Sequence, residues 1–177
     1  MTFSFTPMTE ADARSILAWR YEPPYTTYNA PDAALESSSD YLRELLDTRS
    51  PHFAVREAGN DAGDERAEPI GFFAYGSGCE VGGDVGEPYL TRPDGSLTIG
   101  LGLRPDRTGR GTGLALVEAG LAYARDHYAP TRFRLYVYEW NERAIRVYER
   151  AGFTRVGERR VAAPEGERVF IEMMRLP

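Results

Sequence analysis

Three consecutive segments decide the fold: Leu97-Thr-Ile-Gly-Leu-Gly-Leu103, Arg104-Pro-Asp-Arg-Thr-Gly-Arg-Gly-Thr-Gly113 and Leu114-Ala-Leu-Val-Glu-Ala-Gly-Leu-Ala-Tyr123. The first segment predicts a β-strand, because large apolar residues alternate with smaller ones. The second predicts a turn, because it contains a proline followed by several glycines. The third predicts a helix, because its apolar residues recur at helical spacing. A strand, a glycine-rich turn and a helix therefore follow one another directly.

The glycines of this turn indicate an anion site. Gly109, Gly111 and Gly113 let bare backbone N–H groups approach a ligand, and the following helix N-terminus carries unpaired amides and a positive dipole end. Arg107 and Arg110 add mobile positive charge. The turn lacks the Gly-Lys-Ser/Thr of a Walker loop and the GxGxxG spacing of a dinucleotide fingerprint. We predict a phosphate or pyrophosphate cradle, and a tight turn without a ligand is the alternative.

A second motif, Asn141-Glu-Arg-Ala-Ile-Arg-Val-Tyr148-Glu-Arg-Ala-Gly-Phe153, follows the next predicted strand. With both motifs in this order, the chain resembles the GCN5-related N-acetyltransferase (GNAT) superfamily. In that resemblance Thr108-Gly-Arg-Gly-Thr-Gly113 occupies the family's pyrophosphate loop, which usually reads Gln/Arg-x-x-Gly-x-Gly/Ala. The chain departs from the pattern at Thr108, with Arg107 one place earlier. The resemblance covers about residues 70–175 well and the N-terminal part loosely.

The predicted fold class is α/β. The element order is strand, two helices, three strands, helix, strand, helix and two strands, with the second helix expected over Ser37–Thr48 and the closing strands over Phe153–Ala163 and Val169–Leu176. The central crossover makes the strands that it connects parallel. The resemblance agrees: it implies a GNAT-like mixed, mainly antiparallel sheet with a central, splayed parallel strand pair and flanking helices. We expect residues 1–177 to form a single acyl-CoA N-acyltransferase domain.

The resemblance implies acetyl-CoA as the cofactor and acetyl transfer to a primary amine by direct attack. The cofactor-binding residues that it implies are Leu101, Gly102, Leu103, Thr108, Gly109, Arg110, Gly111, Thr112, Gly113, Leu114, Asn141 and Ala144. Glycines such as Gly102 are consistent with close approach of the cofactor to the strand. The amine acceptor is a small molecule, a peptide N-terminus or a lysine. The residues expected to bind it are aromatic, although packing onto the core is an alternative role: Trp19, Tyr21, Tyr25, Tyr28 and Tyr75.

Tyr148 matches the general acid of the family. A phenol with a reference pKa of about 10 stays protonated at neutral pH and can donate to a leaving thiolate. The alternative role is that of an anchor between helix and sheet. Asn141 is either a plain helix cap or a cap that also contacts the cofactor. Many family members carry a glutamate base where this chain has Thr98. The base stays open among five candidates, Glu80, Glu87, Glu139, His52 and His127, and an acceptor with a low pKa requires no strong base.

Composition limits the remaining classes of function. The net charge of −6 argues against nucleic acid as a partner, and 42% hydrophobic residues suit one globular domain. Cys79 stands alone, which excludes a disulfide framework or a zinc box, so we expect no metal and a cytoplasmic location. We see no signal peptide and expect no membrane contact. A homodimer stays open, as does the alternative function of a non-catalytic acyl-CoA-binding or regulatory module.

Overall fold

The computed structural model describes residues 1–36, 39–58, 67–82, 88–164 and 166–177. The strands and α-helices in these residues follow the predicted order. Their bounds are β1 (Phe3–Pro7), α1 (Glu10–Leu17), α2 (Asp40–Leu45), β2 (His52–Glu57), β3 (Gly71–Tyr75), β4 (Ser96–Leu103), α3 (Thr112–Tyr128), β5 (Arg132–Tyr138), α4 (Glu142–Arg150), β6 (Thr154–Ala163) and β7 (Gly166–Arg175).

The strands form one mixed sheet in the order β1-β2-β3-β4-β5-β7-β6. β4 pairs with β5 in parallel, whereas β1–β2, β2–β3, β5–β7 and β6–β7 are antiparallel. The parallel pairs join residues 96–98 to residues 132–134, while β4 continues to Leu103 and β5 to Tyr138. The predicted mixed sheet with a central parallel pair is therefore confirmed.

Residue contacts group the chain into two compact units, residues 1–74 with 101–113 and residues 75–100 with 114–177. In the first unit, α1 and α2 pack around a small core that contains Ala13, Leu17 and Leu42. A capping box begins α1: Thr9 Oγ1 accepts the Asp12 N–H at 3.2 Å, and the Asp12 carboxylate accepts from the Thr9 backbone N–H.

In the second unit, the side chains of β5 alternate between the two faces of its sheet. Phe133, Leu135 and Val137 are buried and alternate with polar or amphipathic residues, as period-2 patterning requires. Arg134 and Tyr136 therefore point to the opposite face of the strand. That opposite face is polar, because Arg134 forms an ion pair with Glu172 of β7.

The bounds of the second helix and of the last strand differ from the prediction. The second helix begins at Asp40, because the Ser39 hydroxyl caps it by accepting the Leu42 N–H at 3.2 Å; predicted positions 37 and 38 lie outside the described residues. It ends at Leu45, and the Asp47 carboxylate then accepts the Arg49 N–H in a local turn that competes with the helix. The last strand begins at residue 166 rather than 169, because the β6–β7 pairing continues to the hairpin end.

Candidate active site

The glycine-rich turn has the geometry of an anion site. Gly109 and Gly111 adopt positive φ angles of 73° and 82°, and a Cβ atom at either position would meet nothing within 4 Å. The turn leads directly into α3, which begins at Thr112, two residues earlier than predicted, and runs for 17 residues. The first amides of a helix have no intrahelical partner. The segment therefore fits a phosphate or pyrophosphate group.

The two arginines of this turn, Arg107 and Arg110, have different surroundings. The Arg107 guanidinium forms a half-exposed ion pair with Glu57 at 3.3 Å. The Thr108 hydroxyl donates to the Pro105 carbonyl at 2.8 Å, so its proton is used locally. Arg110, by contrast, is exposed. We therefore assign the mobile positive charge of this turn to Arg110.

The absence of a side chain at Gly102 is explained by packing. A Cβ atom at this position would overlap the ring of Phe72 on β3. The neighbouring Leu101 and Leu103 are half-buried at the end of β4. The Leu103 carbonyl accepts a hydrogen bond from the Tyr21 hydroxyl at 2.9 Å. The glycine makes room for an aromatic side chain, which the sequence pattern alone does not reveal.

Replacing Gly111 with alanine is expected to weaken coenzyme A binding about tenfold or more. The strained φ of 82° costs an alanine on the order of 1–2 kcal/mol, and relaxation of the turn misplaces amides that donate to the charged phosphates. The measurement is calorimetric titration with coenzyme A. Gly166→Ala is the matched control, because Gly166 also has a positive φ and open space at Cβ but is the first residue of β7. Equal affinity in both variants would contradict the prediction.

The predicted acceptor residues of the first unit form a linked aromatic segment. Trp19 is buried with its ring 6.3 Å from Phe72, and the rings of Tyr21 and Tyr28 meet edge-on at 6.1 Å. Tyr25 and Tyr28 begin and end a short 3-10 turn. Tyr28 is 41% exposed, so it is the member of this segment most open to solvent.

Tyr75 does not have the position expected of an acceptor-binding residue. Its side chain is fully buried, and its hydroxyl donates to the Gly120 carbonyl of α3 at 2.9 Å. Its ring packs against Tyr123 and Tyr128. Burial raises the pKa of Tyr75, which keeps the hydroxyl protonated. The packing alternative for the aromatic residues is therefore correct at this position.

The second motif forms the N-terminus of α4 and its following turn. The Asn141 side chain is buried and caps the helix, with Oδ1 accepting the Ala144 N–H at 3.2 Å. Tyr148 lies two turns further on, half-buried, with its ring 6.1 Å from Phe153 in an edge-on contact. The Ala144 amide is thus occupied by the cap.

Four candidates for the general base are buried, lie at the surface or fall outside the described residues. His52 is buried in β2, its Nδ1–H donates to the Ser50 carbonyl, and burial lowers its pKa. His127 is exposed and stacks on Tyr123. Glu139 is exposed at the end of β5, and Glu87 lies outside the described residues.

The fifth candidate, Glu80, is a buried carboxylate at the centre of a polar cluster. Its side chain is 4% exposed and forms a bidentate ion pair with Arg92. The Thr98 hydroxyl also donates to Glu80, at 2.6 Å. Burial tends to raise the pKa of Glu80, but the hydrogen bonds from Arg92, Thr98 and Tyr136 and the Arg92 charge outweigh it and lower the pKa. Glu80 is therefore ionised at neutral pH.

Two phenols complete this cluster, which we call the Glu80 cluster: Glu80, Tyr89, Arg92, Thr98 and Tyr136. Thr98 lies where the resemblance implies a glutamate, and its hydroxyl donates a hydrogen bond to the Glu80 carboxylate. Sequence reasoning named Glu80 but missed Tyr89, Arg92 and Tyr136. The absence of a carboxylate at Thr98 was the one hint in the sequence that another glutamate lies nearby. The path of the loop that carries Glu80 could not be predicted from the sequence.

The mixed sheet with its recorded parallel pair β4–β5 and the glycine turn before α3 agree with the GNAT-like fold that the sequence resemblance implies. The family model "Acetyltransferase (GNAT) domain" matches residues 3–154, so the chain belongs to the GNAT acetyltransferase family.

Curated relatives match over shorter segments. The chain is 49% identical to the mycothiol acetyltransferase of Salinispora tropica over 65 residues, which cover 34% of this chain and 21% of that protein. It is 37% identical to the mycothiol acetyltransferase of Streptomyces coelicolor over 101 residues, or 52% of this chain and 31% of that protein. The matched segments thus span a third or less of these two relatives.

Solved structures match along the whole chain. The aminoglycoside acetyltransferase AAC(6')-Ib in complex with coenzyme A superimposes with a TM-score of 0.68 and 24% identity, covering 99% of this chain and 95% of that one. The dodecameric spermidine N-acetyltransferase of Vibrio cholerae gives a TM-score of 0.63 and 18% identity, with coverages of 98% and 93%. At these identities the structural matches establish the fold. In the part of the chain that the structure describes, no helix combines the length and apolarity needed to cross a bilayer.

Proposed function

We propose that this chain transfers an acetyl group from acetyl-CoA to a primary amine. The observation that carries the proposal is the family match over residues 3–154, which includes the whole glycine turn and its anion-binding geometry before α3. The residues that would hold the cofactor are those of the turn from Thr108 to Gly113 and the start of α3 at Leu114. They suit its pyrophosphate because their amides are donors at a helix N-terminus.

Bound acetyl-CoA would supply the acetyl group as a thioester with a thiolate leaving group. The amine nitrogen attacks the carbonyl carbon of this thioester directly. The backbone N–H of Leu101 or Leu103 at the end of β4 receives the charge that develops on the carbonyl oxygen. Tyr148 donates its phenolic proton to the leaving sulfur, and the proton that the attacking nitrogen loses passes to solvent, from which the phenol is protonated again. The aromatic segment from Trp19 to Tyr28 binds the acceptor. Asn141 fixes the start of α4, on which Tyr148 is carried.

The acceptor class rests on the chemistry of the relatives. They are named as mycothiol, spermidine and aminoglycoside acetyltransferases, and a ribosomal-protein alanine acetyltransferase has the same fold. We include a small-molecule amine, a peptide N-terminus and a lysine side chain among the acceptors. We further propose a cytoplasmic location, on the single cysteine Cys79, and a homodimer as the assembly to test first.

A non-catalytic acyl-CoA-binding module is the second candidate. Its support is Thr98, which cannot act as a base, together with the tight ion pair that occupies Glu80. Such a module keeps the glycine turn and binds the cofactor without turnover. The two candidates therefore differ in thiol release but not in cofactor affinity.

The test measures thiol release from acetyl-CoA with four separate amines: spermidine, kanamycin, glycinamide and a hexapeptide with a free N-terminus. Binding of acetyl-CoA is measured by calorimetry in the same preparation. Release that depends on one amine supports the transferase and identifies its acceptor class. Tight binding without release favours the binding module, and absence of both refutes the two candidates.

A further inference from the structure

Glu80 has no acceptor capacity left for a substrate proton. Five donor groups contact its two oxygens: Arg92 Nε at 2.9 Å, Arg92 Nη2, the Thr98 hydroxyl at 2.6 Å, and the Tyr89 and Tyr136 hydroxyls at 3.2 Å each. A carboxylate offers about four lone-pair positions. A general base needs an open position directed at the proton it removes. The geometry therefore argues against Glu80 as the base and for another role.

The role follows from the direction of the two phenolic hydrogen bonds. An ionised carboxylate only accepts, so Tyr89 and Tyr136 must each donate their single hydroxyl proton to Glu80. Burial, followed by the Glu80 charge, raises the pKa of both phenols, which keeps these protons in place at neutral pH. Each phenolic oxygen then has only lone pairs to offer. Among the residues that the structure describes, no hydrogen bond is recorded from a donor to either oxygen.

The position of Tyr136 connects this cluster with the reaction. Thr98 and Arg134 form the last recorded parallel pair between β4 and β5, and Tyr136 is the next residue on the same face of β5. Tyr136 therefore stands just beyond the paired segment of the two parallel strands. It is half-buried, so part of its side chain faces solvent.

We propose that Glu80 is a positioning residue that makes the hydroxyl oxygens of Tyr89 and Tyr136 acceptors for the N–H groups of the acceptor amine. This inference rests on the proposed function. An ammonium or amine carries two or three N–H donors, whereas an alcohol carries one O–H donor. A pair of acceptor-only oxygens therefore selects an amine over an alcohol of the same shape. Arg92 balances the Glu80 charge, so selectivity comes from hydrogen-bond direction and not from net charge.

The test is equilibrium binding of spermidine, kanamycin, glycinamide and the free hexapeptide to the wild-type protein and to Tyr136→Phe and Tyr89→Phe, by calorimetry. Each variant keeps the ring and removes one acceptor oxygen. We expect at least one amine to bind the wild type and to lose about ten- to a hundredfold in affinity in Tyr136→Phe. The dissociation constant of acetyl-CoA should stay within about twofold. Tyr138→Phe is the matched control, because this tyrosine lies two residues further along β5 and contacts Arg168.

Glu80→Gln tests the positioning role itself. Its carboxamide replaces one of the two carboxylate oxygens with an N–H donor, opposite one of the two phenols that now donate, so we expect a loss of amine affinity without a change in acetyl-CoA affinity. If this variant does not fold, Tyr136→Phe decides the question. Amine affinities that are equal in wild type and Tyr136→Phe, or no amine binding to the wild type, overturn the inference. Amine binding without thiol release instead refutes the proposed function and leaves the recognition role supported.

Discussion

Replacing Tyr148 with phenylalanine is expected to lower kcat for acetyl transfer about a hundred- to ten-thousandfold, the usual contribution of a general acid. The thiolate leaves poorly without a proton, and Tyr148 matches the residue that supplies it in the GNAT family. The variant keeps the half-buried ring and its contact with Phe153, so packing of α4 is preserved. The dissociation constant for coenzyme A should therefore change by no more than about twofold.

Thiol release gives kcat and KM of the variant and the wild type. Coenzyme A affinity and thermal unfolding are measured on the same protein samples. Tyr123→Phe serves as the control, because Tyr123 is also half-buried on a helix but stacks on His127. A Tyr148→Phe variant that loses coenzyme A affinity and kcat in equal measure would identify Tyr148 as a structural anchor. Unchanged kcat would mean that the leaving thiolate takes its proton from elsewhere.

Local signals in the sequence predicted most of the fold. The Thr9–Asp12 capping box and the Asn141 cap act within three residues of chain, so their residue types and spacing are sufficient to locate two helix starts. The glycine turn was also readable, because positive φ angles at Gly109 and Gly111 require that residue type. The periodicity of β5 gave its buried face directly.

Contacts between residues far apart in the chain could not be predicted from the sequence. Gly102 was interpreted as space for a ligand, whereas the ring of Phe72, thirty positions earlier, fills that space. The ion pair between Arg107 and Glu57 was likewise not predicted. In each case the partner lies on another strand or loop, and strand register decides the contact. The Glu80 cluster has the same origin, because Tyr136 lies 56 positions from Glu80.

A buried ion pair between α1 and β2 is another such contact, and it carries the largest expected effect on stability. Asp12 and Arg56 are 6% and 7% exposed at their side chains and form an ion pair. Arg56 also donates to Thr6 Oγ1 at 2.8 Å and to the Ala67 carbonyl at 2.7 Å. Asp12 serves in addition as the third residue of the α1 capping box. One carboxylate thus joins a helix start to the sheet of the same unit.

Asp12→Ala is expected to reduce the free energy of unfolding by about 3–5 kcal/mol, because it leaves the Arg56 guanidinium buried without its counter-ion. Loss of the capping box adds to this effect. Equilibrium urea unfolding of the variant and the wild type measures the difference. Glu10→Ala is the matched control on the same helix: it breaks the exposed Glu10–Arg14 pair and should cost at most about 1 kcal/mol.

The double variant Asp12→Ala with Arg56→Met separates the ion pair from the helix cap. Removing both charges leaves no buried unpaired ion, so the double variant should be more stable than Asp12→Ala alone, and the remaining deficit reports the cap and lost packing. If the double variant is instead less stable than Asp12→Ala by the full cost of Arg56→Met, the two residues act independently and the ion pair contributes nothing. A loss in Asp12→Ala no larger than that in Glu10→Ala would lead to the same conclusion.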